Sequence, residues 1–406
     1  MKVELLAPAG NLEKLKIAIS YGADAVYIGG EKFGLREYAD NFSLQEMREG
    51  VSFAHERGKK VYLTMNIIPH NSDLAGMDSY IKEVAKVGVD AVLVSDPGVF
   101  SIVKENAPNM EIHLSTQANN TNYKSANFWH SMGVKRVVLA RELSFEEIKE
   151  IRDNTKEDLE LEMFVHGAMC ISYSGRCLLS NYMASRDSNK GQCAHPCRWK
   201  YYLMEEKRPG EYMPVFEDEK GTYIYNSKDL CLIERIPEII KAKVSSLKIE
   251  GRMKSAFYVA TVVGAYRKAI DAYYKDPENY IVDKSLVEEV SRASHRAYTT
   301  GFFDRKPDGN EQIYNTSTYI RDYEFLGMAL EYDEFTHIAK VEQRNRFMLG
   351  DSIEVMNPDG TKFCQEIKEM WDENMESIDV APHPQMIVYI KMDKKVSRYS
   401  MLEKKA

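Results

Sequence analysis

Four cysteines lie close together in the middle of the chain, Cys170, Cys177, Cys193 and Cys197, with six, fifteen and three residues between them. Thiolates are soft ligands that bind zinc, copper(I) or iron–sulfur clusters, so this grouping predicts a metal or cluster site. Structural zinc sites favour paired cysteines with about two to four intervening residues, and only the last two cysteines fit that form. The spacing therefore favours an iron–sulfur cluster, with zinc and unligated thiols as the alternatives.

The two remaining cysteines, Cys231 and Cys364, are predicted to be small buried side chains, the former among apolar helical neighbours. Six cysteines in 406 residues are too few for a disulfide scaffold. The first residues show no leader pattern and no apolar run is long enough to cross a membrane, so we expect a cytoplasmic protein with reduced thiols. The net charge of −8 argues against a generally basic surface, although a local basic stripe can still hold a nucleic acid.

Short β-branched runs alternate with amphipathic stretches of helical length from residue 3 onward. Near-continuous apolar strands joined by helices are typical of a buried parallel sheet, and eight of them favour a closed (β/α)₈ barrel. The eight runs are VELLAPAG (3–10), AVYIGG (25–30), VYLTMN (61–66), AVLVSD (91–96), IHLSTQ (112–117), RVVLA (136–140), LEMFVHG (161–167) and SSLKIEG (245–251). The predicted fold class is α/β, a TIM-like barrel.

A long connection after the seventh predicted strand carries all four clustered cysteines. Loops that follow barrel strands form the catalytic face, so we expect this insert at the mouth of the barrel. The sequence divides into a barrel domain at 1–275 with a cluster-binding insert at 168–244, a connector at 276–323, and a small antiparallel β-barrel at 324–402. The last assignment depends on short strand-like runs separated by Gly, Asp and Asn turns.

Polar side chains stand at the ends of the predicted barrel strands, where such barrels carry their chemistry. The candidate catalytic residues are Asn66, Asp96, Gln117, Arg141, His166, Glu250 and Arg252. Other interpretations stay open for three of them. Glu250 and Arg252 would then pair with each other or cap the last barrel helix, and His166 would be a hydrogen-bonded structural histidine.

Residues 162–180, EMFVHGAMCISYSGRCLLS, resemble the signature of the collagenase-like peptidase family, whose catalytic type is unassigned. The resemblance extends to LLAPAGNLEKLKIAISYGADAVYIG (5–29), RDSNKGQCAHPCRWKY (186–201), SLKIEGRMKSAFYVATVVGAYRKAID (246–271) and SHRAYTTGFF (294–303). It therefore spans nearly the whole chain. Within that family the chain is most similar to the proteins that hydroxylate tRNA, while other members hydroxylate ribosomal RNA or the ubiquinone ring.

That resemblance implies formation of 5-hydroxyuridine at the wobble position of tRNA, with prephenate as co-substrate and without oxygen. It also implies a [4Fe–4S] cluster on the four clustered cysteines, the fourth ligand lying further downstream in some relatives, and a translation-factor-like β-barrel at the carboxyl end. With a prephenate-like ligand, Arg141 and Arg252 are predicted to clamp the two carboxylates, because guanidinium groups bind carboxylates in a bidentate manner.

A tRNA substrate requires phosphate contacts and a surface on which an unpaired base can stack. Basic and aromatic residues alternate around the cysteines and are predicted to hold it: Arg176, Arg186, Lys190, Arg198 and Lys200, with Tyr173, Tyr182, Trp199, Tyr201 and Tyr202. The alternative is a solvated insert whose aromatic side chains pack on the barrel. The basic segment MDKKVSRYSMLEKKA (392–406) is predicted to contact the body of the tRNA.

Two other functions compete with RNA hydroxylation. The first is peptide hydrolysis, which the family name implies and which requires a nucleophile paired with a histidine or, in a zinc peptidase, the motif His-Glu-x-x-His that this chain lacks. The second is a non-enzymatic RNA-binding role beside a paralogous hydroxylase. A paralogous partner and a homo-oligomer are the two assemblies that we expect.

Overall fold

The computed structural model describes residues 2–34, 41–170, 172–173, 176–198, 217–218, 221–222, 228–305 and 319–406. The chain divides into two compact units. The first contains residues 1–16, 24–254 and 296–319, and the second contains residues 17–23, 255–295 and 320–406. The domain limits at residues 275 and 324 stay predictions from the sequence pattern. None of the described helices is long and apolar enough to span a bilayer.

Eight parallel strands close into a barrel in the first unit, as the alternation predicts. They are β1 (Glu4–Pro8), β2 (Ala25–Gly29), β3 (Lys60–Met65), β4 (Ala91–Val94), β5 (Glu111–Leu114), β6 (Arg136–Val138), β7 (Glu160–Ala168) and, after three short strands of the insert, β11 (Ser246–Ile249). Each of the first six strands pairs with the one that follows it, from β1–β2 to β6–β7, and β11 pairs with both β7 and β1. The barrel is therefore closed, and the predicted fold class is confirmed.

Helices alternate with the first seven strands: α1 (Leu12–Ser20), α2 (Leu44–His55), α3 (Met77–Val87), α4 (Pro97–Asn106), α5 (Tyr123–Ser131) and α6 (Phe145–Asp153). Two of them begin at capping boxes, in which Ser43 pairs with Glu46 and Ser144 pairs with Glu147. Asp96 accepts hydrogen bonds from the backbone of Gly98 and Val99 and so begins α4.

The insert after β7 contains short elements that the sequence analysis left as a connection. They are α7 (Leu179–Ala184), β8 (Glu217–Asp218), β9 (Gly221–Thr222), β10 (Asp229–Cys231) and α8 (Ile236–Lys241). Strand β10 runs antiparallel to the end of β7 and parallel to β12 (Tyr298–Thr299), so the insert extends the barrel sheet. The end of the insert is thereby anchored to the carboxyl end of β7.

The second unit contains the helices α9 (Ala256–Lys275) and α10 (Ser285–Ser291) and an antiparallel sheet. The strands are β13 (Tyr323–Asp333), β14 (Ile338–Gln343), β15 (Phe347–Met348), β16 (Ser352–Met356), β17 (Lys362–Glu366), β18 (Met370–Trp371), β19 (Val380–Ala381), β20 (Ile387–Lys391) and β21 (Met401–Lys405). Seven of them form one sheet in the order β17-β16-β21-β13-β14-β20-β18. Their inward side chains, among them Leu326, Val341 and Ile390, form one apolar core.

A network of charged side chains occupies the barrel interior at the amino ends of the strands. The Arg136 guanidinium, 4% exposed, lies 2.5 Å from a Glu4 oxygen, 2.6 Å from Glu160 and 3.1 Å from Glu162. The Tyr62 hydroxyl donates to the other Glu4 oxygen at 2.7 Å. Burial by itself lowers the pKa of Arg136, but Glu4 and Glu162 raise it overall, so the guanidinium stays charged. Strands β1, β3, β6 and β7 are thus linked by charge as well as by their backbones.

Replacing Arg136 by Met is expected to destabilise the barrel strongly. The substitution takes their shared cation from the fully buried Glu162 carboxylate and the partly buried Glu4 carboxylate, which costs about 3–5 kcal/mol in the free energy of unfolding. Urea titration followed by circular dichroism measures the change. Arg48→Met on the exposed face of α2 is the control, with a change within about 0.5 kcal/mol. Equal stability of the two variants would show that the network adds nothing to the fold.

Candidate functional site

A cavity of about 130 Å³ opens at the carboxyl ends of the barrel strands. Its lining residues belong to seven of the eight barrel strands or follow them within three residues, as expected for the catalytic face of such a barrel. They are Tyr27, Thr64, Asn66, Leu93, Ser115, Thr116, Gln117, Arg141, Phe164, Lys248, Glu250 and Arg252. We call this space the mouth cavity.

The structure brings five of the seven candidate residues together around the mouth cavity: Asn66, Gln117, Arg141, Glu250 and Arg252. Asp96, two residues beyond the carboxyl end of β4, caps α4 and is not among the residues that line the cavity. His166 lies on β7, is 1% exposed and packs against the Tyr298 ring at 5.3 Å between centroids. It does not line the cavity, and its burial fits the alternative interpretation of His166 as a structural histidine. The helix that follows β11 in the chain, α9, is capped by Ser255 rather than by Glu250 or Arg252.

Arg252 is held in place by close packing and by one hydroxyl. It donates from Nη1 to the Thr64 hydroxyl oxygen at 3.0 Å, and Thr64 in turn donates to the Ile28 carbonyl. A Cβ atom on Gly29 would lie 2.3 Å from the same Nη1. The guanidinium therefore occupies the space that the absent Gly29 side chain leaves.

Arg141 follows β6 and lines the same cavity as Arg252. Its Nη1 donates to the Ala168 carbonyl at 2.7 Å, and its guanidinium lies 5.0 Å from the centre of the Phe164 ring. One hydrogen bond and one ring contact thus fix its orientation at the end of β7. Both arginines that were predicted to clamp carboxylates line the same cavity.

Two side-chain amides present buried polar atoms beside the arginines. Asn66 donates to the Ser115 hydroxyl at 2.9 Å, while its Oδ1 has no hydrogen-bond partner among the described residues. Gln117 Oε1 is also buried without a partner in the described part of the chain. Buried polar atoms are usually hydrogen-bonded, so these two amide oxygens are placed to accept a hydrogen bond from a ligand or a water in the cavity.

Lys248 also lines the mouth cavity, and the sequence analysis missed it. It is 4% exposed, and its ammonium donates to Glu162 Oε1 at 2.7 Å. Burial lowers the pKa of Lys248, and the Glu162 carboxylate opposes that shift. Burial raises the pKa of Glu162, but Lys248 and Arg136 lower it to about 2. The sequence contains a signal for this ion pair, because Glu162 in LEMFVHG and Lys248 in SSLKIEG are charged residues within largely apolar strands.

The four clustered cysteines lie on the insert beyond β7. Cys170 is exposed, the other three are partly buried, and all are free thiols. Within the described ranges, no group of three or more His, Cys, Asp or Glu side chains is arranged to hold a metal ion. The donor set fits a thiolate-bound cluster chemically, whereas the described positions do not form a closed ligand set, so the cluster stays a proposal.

The two other cysteines differ from their predicted surroundings. Cys231 lies on strand β10 rather than in a helix, is partly buried, and stands opposite His166 in the antiparallel pairing with β7. Cys364 is exposed on β17, so its predicted burial is wrong. Side chains alternate between the two faces of a strand, and the neighbours Phe363 and Gln365 point inward.

The insert presents aromatic and basic side chains to solvent. Tyr182 is 82% exposed and Tyr173 is 47% exposed. Arg176 donates to Asn119 Oδ1 at 2.7 Å, and Lys190 lies 2.6 Å from Asp73. Of the predicted RNA contacts, Trp199, Lys200, Tyr201, Tyr202 and the side chain of Arg198 lie outside the described residues. The tyrosines of this group that the structure describes are therefore not packed into the barrel.

Together, the closed barrel and the cation-lined cavity define a TIM-barrel protein with a candidate ligand site at the carboxyl ends of its strands. The chain belongs to peptidase family U32. The model of that family matches residues 10–313, and the model of the peptidase family U32 C-terminal domain matches residues 321–402. The predicted family is confirmed.

Curated relatives match over nearly the whole chain. The tRNA hydroxylation protein P1 of Bacillus subtilis is 47% identical over 99% of this chain and 95% of its own length. The tRNA hydroxylation protein P of Escherichia coli is 41% identical over 94% of this chain and 92% of its own length. The 23S rRNA 5-hydroxycytidine C2501 synthase of Escherichia coli is 37% identical over 76% of this chain and 46% of its own length.

The low pKa of Glu162 makes stability depend on pH in the acid range. Because the folded pKa of about 2 is below the unfolded value of about 4.3, the stabilisation is complete above pH 4.3 and is lost as pH falls towards 2. The loss amounts to about 3 kcal/mol. Denaturant titrations at several pH values measure it. Glu162→Gln should lose this part of the acid dependence, whereas the exposed control Glu83→Gln should keep it. An unchanged acid limb in Glu162→Gln would contradict the assignment.

Proposed function

We propose that this protein hydroxylates the wobble uridine of tRNA to 5-hydroxyuridine. The observation that carries the proposal is the 47% identity over 99% of the chain to a protein named for tRNA hydroxylation. A second relative is named for 5-hydroxycytidine formation, and the same pyrimidine carbon is modified in both products. The mouth cavity supports the proposal because a small co-substrate can bind there at the face where such barrels carry their chemistry.

Prephenate is the proposed co-substrate of the mouth cavity. Arg141 and Arg252 line it together and offer guanidinium donors to the two carboxylates. Tyr27 and Phe164 provide ring faces for the cyclic part of the ligand, and the buried amide atoms of Asn66 and Gln117 are placed for a hydroxyl group. Binding there would orient the co-substrate and remove water from it.

A [4Fe–4S] cluster on Cys170, Cys177, Cys193 and Cys197 is the proposed cofactor. When bound, such a cluster supplies electron transfer or Lewis acidity. The thiols follow the carboxyl end of β7 in the chain. The antiparallel pairing of β10 with that end of β7 anchors the insert at this side of the barrel. The tRNA is proposed to reach this face across the insert, where Tyr173 and Tyr182 offer exposed rings for base stacking.

Peptide hydrolysis is the second candidate, favoured by one observation besides the family name. Cys231 and His166 stand opposite each other across β10 and β7, which brings a thiol and an imidazole into neighbouring positions. Gelatin cleavage that is lost in Cys231→Ser and survives removal of iron would support this function. Hydroxyuridine formation without any gelatin cleavage would exclude it.

Single Cys→Ser variants test the proposed cluster. In a strain without its own tRNA hydroxylation genes, this chain alone should restore 5-hydroxyuridine, measured by mass spectrometry of digested tRNA. Serine at Cys170, Cys177, Cys193 or Cys197 should abolish the product and lower the iron content of anaerobically purified protein. Cys364→Ser, on the exposed face of β17, is the matched control and should match the wild type in both.

Three outcomes separate the alternatives. Wild-type iron in all four variants would remove the cluster from these residues. Loss of iron in Cys231→Ser together with wild-type iron in Cys197→Ser would place the fourth ligand on β10. No product from this chain alone, but product when a paralogue is added, would show the RNA-binding role instead.

Gly29→Ala tests the position of Arg252 separately from the fold. The new methyl group overlaps the far end of a flexible side chain, so the guanidinium should move away while the free energy of unfolding changes by about 1 kcal/mol or less. Formation of 5-hydroxyuridine should fall at least about tenfold, as for loss of one charged ligand contact. Gly264→Ala on α9, where a Cβ meets only the Tyr21 ring at 3.4 Å, is the control and should keep full activity. Full activity in Gly29→Ala would contradict a role for this guanidinium.

A further inference from the structure

We propose that Lys248 binds a ligand carboxylate in the mouth cavity and that Glu162 positions its ammonium group. The inference deepens the proposed function, since the cavity is the one assigned to the co-substrate, but it depends only on the cavity. It adds a third cation to the two arginines and gives a binding role to an ion pair inside the barrel. The ligand class is a small carboxylate with an apolar ring.

The ammonium of Lys248 has donors left for a ligand. It carries three N–H groups and makes one hydrogen bond in the described structure, to Glu162 at 2.7 Å. Its other neighbours are ring faces, with Tyr27 at 4.6 Å and Phe164 at 5.4 Å from the ring centres. The Tyr27 ring is fixed because its hydroxyl donates to the Ile249 carbonyl at 3.0 Å. The donors that remain lie beside the cavity that Lys248 lines.

Glu162 holds this ammonium in one place and cannot itself reach a ligand. The carboxylate is fully buried, and its two oxygens contact different cations, Oε1 at 2.7 Å from Lys248 and Oε2 at 3.1 Å from Arg136. Since Arg136 is also bound to Glu4 and Glu160, it holds the Glu162 carboxylate from the side of the amino ends of the strands. A ligand-binding group whose orientation is fixed in advance loses less entropy on binding.

The charges around the mouth cavity favour an anion. Among the described residues, three cationic side chains line it, Arg141, Lys248 and Arg252, and Glu250 is the one acidic side chain. Lys248 is paired with Glu162, which lies beneath the cavity. With three cations and one carboxylate in that lining, a ligand carboxylate is favoured there over a cationic ligand.

A purely structural role explains this lysine less well. An ion pair inside a barrel is seldom more stabilising than apolar side chains of the same volume, and here the pair lies directly beneath an open cavity. The cavity is also lined by amide atoms that have no partner among the described residues, and an apolar plug would leave them unsatisfied. Both features suit a polar ligand with a carboxylate.

Calorimetric titration of the full chain tests the assignment with phenylpyruvate and its methyl ester. Both probes carry an aromatic ring, and only the acid carries the charge. The wild type should bind the acid at least about tenfold more tightly than the ester, because one charge-assisted hydrogen bond is at stake. Lys248→Met should lower this preference clearly, although Arg141 and Arg252 keep their charge, and should leave ester affinity unchanged. Glu162→Gln should weaken binding of the acid alone. Lys340→Met, a lysine beside Glu331 on β14, is the matched control and should match the wild type.

The ratio of the two affinities separates binding from general damage, because a distorted cavity weakens acid and ester alike. A wild-type ratio in folded Lys248→Met, or no preference in the wild type, would overturn the proposal. If circular dichroism shows that Lys248→Met is unfolded, Lys248→Gln is titrated by the same criterion. Charge-dependent binding of phenylpyruvate with no binding of prephenate and no hydroxyuridine would sink the proposed function and leave this site standing.

Discussion

Charge neutralisation inside a closed barrel is the constraint on which the rest of this structure depends. The interior excludes water, so the Arg136 guanidinium is stable there only with carboxylates against it. Glu162 accepts a hydrogen bond from Arg136 with one carboxylate oxygen and from Lys248 with the other. A chain of alternating charges therefore extends from the amino ends of the strands to the cavity at their carboxyl ends. Stability and the proposed ligand binding therefore depend on the same residues.

The barrel separates two kinds of chemistry. Arginine, lysine and amide side chains come from strand ends, where neighbouring strands hold each Cα atom by backbone hydrogen bonds. The cysteines come from the insert, whose described part pairs with the barrel sheet through β10 at its far end. The proposed ligand site is thus built from the barrel strands, and the proposed cluster is carried by a segment attached to them. That division would suit the proposed reaction on a large RNA.

Particular residues show how far a sequence could lead to this site. Asn66, Gln117, Arg141, Glu250 and Arg252 were found because a polar residue directly after a buried strand has only one place to go in a parallel barrel. Asp96 satisfies the same rule, yet it caps α4, because a carboxylate before a helix competes for its free N–H groups. Lys248 was missed because its counter-charge lies on another strand, 86 residues away in sequence.

Hydrophobic periodicity in the sequence alone determined the eight strands and the order in which they close, since each run must bury both faces and each helix only one. The cysteine grouping likewise identified the segment that is proposed to hold a cluster. Tertiary structure alone decided which charges neutralise one another and which line the mouth cavity. Those partners lie on different strands, and their meeting depends on the register of the closed barrel, a property of all eight strands together that no local pattern contains.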